Sequence, residues 1–249
     1  MCDDSKVLKV KLISPRYGIG SFVYRARRPF DPLKLYCALE GKFILLQDEV
    51  EDDEDEEMSD GSAEICHGSD IHDDADQVSE EHESLFVDST QILANKKACP
   101  WFAGLHRSKG VFWLATRPHQ MGSWSTAGAM LTLGSEMPWF STMPRDEWGA
   151  DEETAKNIMA DFKGEWGDRR QELVLIGENL DVEGLTQLLN GCLLSQAEMG
   201  KWEGVMHDNK LREEEREGRL QEMWDDSFWV EWGSEDAKVH KGHGHGHND

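Results

Sequence analysis

The sequence has no close pair of cysteines. Its five, Cys2, Cys37, Cys66, Cys99 and Cys192, are odd in number and scattered through 249 residues, which argues against a disulfide framework or a zinc knuckle. No apolar run reaches the length of a bilayer crossing. The opening MCDDSK starts acidic, unlike the positively charged start of a secretory signal. There is no basic stripe, so neither nucleic acid nor an anionic membrane is an expected partner. These absences together predict a reduced, cytoplasmic protein. Apolar residues are also scarce, at 38% of the chain, so a long stretch must lie outside any core.

The charge shows where that stretch is. Between Asp48 and Glu83 there are 18 Asp or Glu and no Lys or Arg. That one segment carries −18 of the formal −24, and the remainder is only mildly acidic. Self-repulsion and few apolar residues predict a disordered insert over 48–84. It could serve as a solvated linker or attract a basic partner, and the linker is the simpler expectation.

Outside the insert the pattern alternates between strand and helix. Phe22, Tyr24 and Ala26 alternate with Val23, Arg25 and Arg27, a period of two that predicts a strand within 16–30. Asp31-Pro32 supplies an N-cap and a first-turn proline, opening a helix expected to run to about residue 46. A second short helix is expected over 86–98. KGVFWLAT at 109–116 and SWSTAGAMLTL at 123–133 read as two strands joined by the RPHQMG turn, followed by an irregular loop to 149. A helix over 151–162, a strand over 171–177 and a helix from Asp181 complete the series. Residues 208–224 read as a solvated charged helix.

The resulting order predicts an α+β fold, a ferredoxin-like β-α-β-β-α-β antiparallel sheet with helices on one face. The expected organisation is an extension over 1–15, a domain over 16–207 interrupted by the insert, the charged helix 208–224, and a flexible tail over 225–249 with a His-rich end. Six of the ten Trp fall between Trp101 and Trp166. Trp113, Trp124 and Trp166 could line a groove, but their apolar area fits a core better.

Three blocks, SPRYGIGSFVYRARRPFDPLKL, LHRSKGVFWLATR and GEWGDRRQELVLIG, resemble the C-terminal domain of CobW-like proteins and occur in that family's order. The resemblance implies an accessory domain that usually follows a P-loop GTPase domain in proteins delivering or buffering divalent metals such as zinc or cobalt. The GTPase machinery has no counterpart here. Gly41-Lys42 and Gly200-Lys201 are followed by Phe43 and Trp202, where a magnesium-binding Ser or Thr is needed. Asn95-Lys96-Lys97 is followed by Ala98 in place of a base-reading Asp, Gly18-x-Gly20 lacks a third Gly, and there is no Cys-x-Cys-Cys. The expectation is therefore a non-enzyme that binds no nucleotide.

The candidate metal ligands are His240, His243, His245 and His247, spaced by Gly and Lys at the end of the sequence. Imidazole suits zinc, cobalt or nickel, although a solvated tail or an added tag would look the same. Cys66, His67 and His72 form a weaker candidate, since their spacing matches no standard site. Arg25, Arg27, Arg28, Asp168, Arg169 and Arg170 lie in the resembling blocks. They read either as contacts for a partner's carboxylate or phosphate or as groups fixing local loop geometry. No nucleophile accompanies His106 or His119, so no catalytic residues are expected.

Three functional readings follow from the sequence. The first is an accessory domain of metal homeostasis, whose partner would be a separate CobW-type GTPase or a metal client protein. The second is a C-terminal piece of a full-length GTPase of that type. The third is an interaction module working through its acidic insert.

Overall fold

The computed structural model describes residues 11–14, 18–47 and 88–232. Its elements, in chain order, are β1 (Lys11–Ser14), β2 (Ile19–Ala26), α1 (Pro32–Leu39), β3 (Ile44–Gln47), α2 (Ser89–Ala98), β4 (Leu105–Phe112), β5 (Gln120–Ala127) and β6 (Met130–Pro138). Two 3-10 turns (Phe140–Thr142, Arg145–Trp148), α3 (Glu152–Ala160), β7 (Gln171–Glu178), α4 (Val182–Cys192), α5 (Gln196–Met206) and α6 (Glu213–Met223) follow.

The strands form one sheet in the order β1-β2-β7-β4-β5-β6-β3. All neighbours are antiparallel except β3 and β6, which run parallel. The ferredoxin-like expectation is corrected here. The sheet has seven strands rather than four, it is mixed, and its last strand, β7, lies between β2 and β4. The connection from β2 to β3 passes four strands, and those from β3 to β4 and from β6 to β7 pass two each.

Two further elements depart from the sequence pattern. The helix that Asp31 opens stops at Leu39, and Gly41 at φ +68° reverses the chain. Ile44–Gln47, expected as the last helical turn, instead pairs with Met130–Leu133. The single strand expected over 123–133 is two strands folded at Gly128, whose φ of +63° suits a residue without a side chain. The local N-cap chemistry holds as read. Asp31 Oδ1 accepts the Lys34 N–H at 3.1 Å, and Pro32 occupies the first turn.

Alternation along the strands divides the sheet into unlike faces. Phe22, Tyr24, Leu173, Leu175, Phe112 and Trp124 are buried together with Leu35 and Leu39 of α1 and Leu185 and Leu189 of α4. Burying side chains of this size is worth roughly 1.5–3 kcal/mol each. No side chain of the opposite face is buried in the row Val23, Val174, Lys109, Ser125, Thr132 and Leu46.

A second apolar cluster sits beyond the end of β4. Trp113, Trp139, Trp202, Leu220 and Trp224 pack together there under α5 and α6. Ser195 and Glu198 form a reciprocal capping box that starts α5. Residues 225–232, expected as the beginning of a tail, are part of the packed body. Trp229 is buried against Phe112, with its indole N–H on the Pro32 carbonyl at 3.1 Å. The Gln47 side chain grips the same segment, donating to the Phe228 carbonyl at 2.8 Å and accepting from the Val230 N–H at 2.9 Å.

Candidate functional site: an arginine-pinned turn

The turn between α3 and β7 collects Arg27, Asp168, Arg169 and Arg170, four of the six residues singled out in the resembling blocks. Gly164 and Gly167 both take positive φ and swing the chain back toward the sheet. Asp168 follows, buried, and its two carboxylate oxygens accept the backbone N–H groups of Phe140 and Ser141 at 2.9 and 3.0 Å. It thereby satisfies donors that the first 3-10 turn leaves without partners.

Arg169 is also buried. Its Nε donates to the Pro118 carbonyl at 2.6 Å, and Nη1 reaches the Trp166 carbonyl and the Ser141 hydroxyl. Burial lowers its pKa to about 10, opposed by the neighbouring Asp168, so it stays protonated at neutral pH. Arg27, from the end of β2, completes the clamp with Nη1 on the Gly167 carbonyl at 3.0 Å and Nη2 on the Asp161 carbonyl at 3.2 Å. Arg28 donates to the Leu194 carbonyl at 2.7 Å. The guanidinium forks of Arg27, Arg28 and Arg169 thus bind the protein's own backbone. Arg25 and Arg170 both pair with Glu172 at the sheet surface, where Arg25 remains 43% exposed.

Two residues that the sequence pattern did not single out are central to this arrangement. Gln171 is fully buried, and its amide accepts the Trp113 N–H and donates to the Trp113 and Arg28 carbonyls. Arg117 donates to the Val230 and Trp229 carbonyls, pairs with Asp226 and lies over the Trp232 ring. A glutamine at the head of a strand and an arginine in a turn carry no local signal. Only the fold shows what they face.

The remaining ionisable groups gather where α6 meets the turn before β5. His119 Nδ1 pairs with Glu213 Oε1 at 3.0 Å, and burial lowers its pKa, with Glu213 opposing. Glu217 is raised to about 7, first by burial and then by the Glu213 charge. Among the cysteines, Cys192 is pushed up to about 12 by burial and is inert as a nucleophile at neutral pH.

His240, His243, His245 and His247 lie outside the described residues, as do Cys66, His67 and His72. Among the described residues no three His, Cys, Asp or Glu converge as a metal-holding group. No described helix is long and apolar enough to cross a membrane. The Gly-Lys pairs fall in the α1–β3 turn and within α5, and Asn95–Ala98 lies in α2.

The geometry defines a domain whose signature arginines and aspartate lock a turn at the start of β7, an inner strand of a mixed sheet. The chain matches, over residues 88–193, the family model described as the cobalamin synthesis protein cobW C-terminal domain. It is similar to zinc-regulated GTPase metalloprotein activator 1 of Dictyostelium discoideum, at 29% identity over 184 residues, covering 74% of this chain and 27% of that protein. A zinc chaperone of Mycobacterium tuberculosis is 29% identical over 121 residues, covering 44% of this chain and 30% of that one. Among solved structures, the Zn(II)-bound YjiA GTPase from E. coli aligns with a TM-score of 0.35 at 12% identity, covering 71% of this chain and 30% of that chain. The chain therefore spans about a third or less of the length of these relatives.

Proposed function

We infer that the chain is an accessory domain of divalent-metal handling. It works without catalysis of its own and pairs with a CobW-type GTPase or a metal client protein. The observation that carries this reading is the cobW C-terminal domain match over 88–193, joined by relatives whose names refer to zinc. Zinc, or cobalt or nickel, would be cargo held by His240, His243, His245 and His247, with Cys66, His67 and His72 as a weaker second set. A Gly-spaced chain wraps an ion readily, but ordering it costs about 1–2 kcal/mol per residue, so the affinity is modest. Imidazoles protonate near pH 6.5, and binding weakens below that.

The test is a zinc titration of the full chain and of a chain ending at residue 239. The reading expects the tighter binding step to vanish with the tail, and to weaken in the full chain as pH falls from about 7.5 to about 5.5. Equal zinc binding by both chains removes the tail from the reading. Mixing the chain with a CobW-type GTPase and finding neither a complex nor a changed hydrolysis rate removes the accessory role.

The coverage of only 27–30% of the relatives' length favours a second reading, in which this sequence is the C-terminal part of a longer GTPase. A native transcript with in-frame P-loop coding sequence upstream of Met1 would establish it.

A further inference from the structure

The face of the sheet turned away from α1 and α4 carries two cations that no carboxylate pairs among the described residues. Arg107 and Lys109 project from β4 on this side and are exposed. Arg25 and Arg170 share the Glu172 carboxylate, but among the described residues no carboxylate pairs with Arg107 or Lys109. Their neighbours include exposed Val174 and Met130. A partly apolar, locally positive face is anomalous on a chain of formal charge −24.

The edge of the same face leads directly into the opposite charge. Leu46 of β3 shares a cross-strand row with Thr132, Ser125 and Lys109. One residue beyond β3 the chain enters 48–57, in which nine of ten residues are Asp or Glu. Lys109 is three strands away from β3, about 14 Å at ordinary strand spacing. Ten extended residues reach about 33 Å. Tethering at this range gives an effective concentration on the order of millimolar, which favours the chain's own carboxylates over those of other molecules. A second copy meeting the same face symmetrically would bring Arg107 and Lys109 against their own equivalents.

We propose that the open sheet face is the docking surface for the chain's own acidic segment, residues 48–57, seated through Arg107 and Lys109. The contact screens the positive charge and covers the adjoining valine and methionine. An acidic partner would have to displace it. The proposal stands whether or not the histidine tail binds metal.

Zero-length carbodiimide coupling of the full chain, which joins Lys amines to carboxylates in direct contact, tests it. The expected product is an intramolecular amide between Lys109 and an acid in 48–57, in several-fold excess over any joining Lys156 to that segment, Lys156 being 72% exposed and, among the described residues, paired with Glu152 alone. Its yield should fall as salt rises from about 0.1 M to about 1 M and the screening length shrinks from about 10 Å to about 3 Å. Lys109 coupling to 48–57 no more than Lys156 does, or coupling unaffected by salt, overturns the proposal. Coupling between isotopically distinguished copies assigns the face to a second molecule and overturns it equally. As a readout independent of Lys109 chemistry, R107Q/K109Q should let an acid-specific protease cut within 48–57 several-fold faster while the melting temperature holds. Unchanged cleavage counts against the docking.

Discussion

The family-matched body and the C-terminal stretch that follows it are held together by different physics. The body, with β4–β7 and α4, encloses an apolar layer between the sheet and its helices, with Asp168, Arg169 and Gln171 buried and bonded at one end of it. The following stretch, from Leu194 to Trp232, adds a tryptophan cluster and is then held by polar side chains that reach it from the body. Arg28 and Arg117 hold its backbone carbonyls, and His119 meets Glu213 on α6. Apolar packing tolerates changes of pH and salt. An assembly of half-buried charges does not, so the second region should be the more easily detached.

The largest expected effect is at Trp202, which is fully buried, stacks edge-on against Trp113 and donates to the Ala115 carbonyl at 2.8 Å. Trp202→Ala should cost about 4 kcal/mol. Native-state hydrogen exchange should show α5 and α6 losing protection while β4 and β7 keep theirs. Equal loss in both regions would break the distinction between them.

Next comes Arg169→Met, which strands the Pro118 and Trp166 carbonyls and is expected to cost about 2–3 kcal/mol in chemical denaturation. Arg169→Lys should rescue little, because one ammonium cannot reproduce a fork that spans separated acceptors.

A smaller change of opposite sign is expected at Glu217. Its folded pKa of about 7 exceeds the ordinary 4.5, so the folded state retains a proton that the unfolded chain has already lost. Stability should therefore fall as pH rises from about 4.5 to about 7 and level off above that. Glu217→Gln should flatten this slope and raise stability at pH 8 by about 1 kcal/mol, allowing for solvent screening of a half-exposed group. A slope that survives the substitution would place the pH sensitivity elsewhere. The smallest effect is at Arg25→Ala, within about 0.5 kcal/mol, since its partner Glu172 retains Arg170 and Arg25 itself is exposed.

Much of the architecture was legible where local chemistry and tertiary fate agree. The Asp31-Pro32 cap, the alternation in β2 and the apolar face of α4 each forced one outcome. The failures arose where a short segment suits two structures. Ile44–Gln47 continues a helical spacing, and only its partner β6 makes it a strand. Small residues around Gly128 concealed a reversal inside what read as one strand. Ser195 and Glu198 carry a capping signature for α5, set in a stretch without a clear apolar face. The packing of Trp229 was hidden by the acidic residues around it. At the candidate site, Asp168 and the arginines were visible as residues, but their targets are backbone carbonyls brought near by the fold, which no spacing rule encodes.

The Gln47 amide makes a mechanical coupling out of two distant parts of the chain. It is the last residue of an edge strand, and it holds Phe228 and Val230 by both ends of one side chain. A pull on whatever follows Trp232 would load that amide and the Arg117 clasp before it reached the central strands. β3, with a single neighbour, is the element such a force would peel away first.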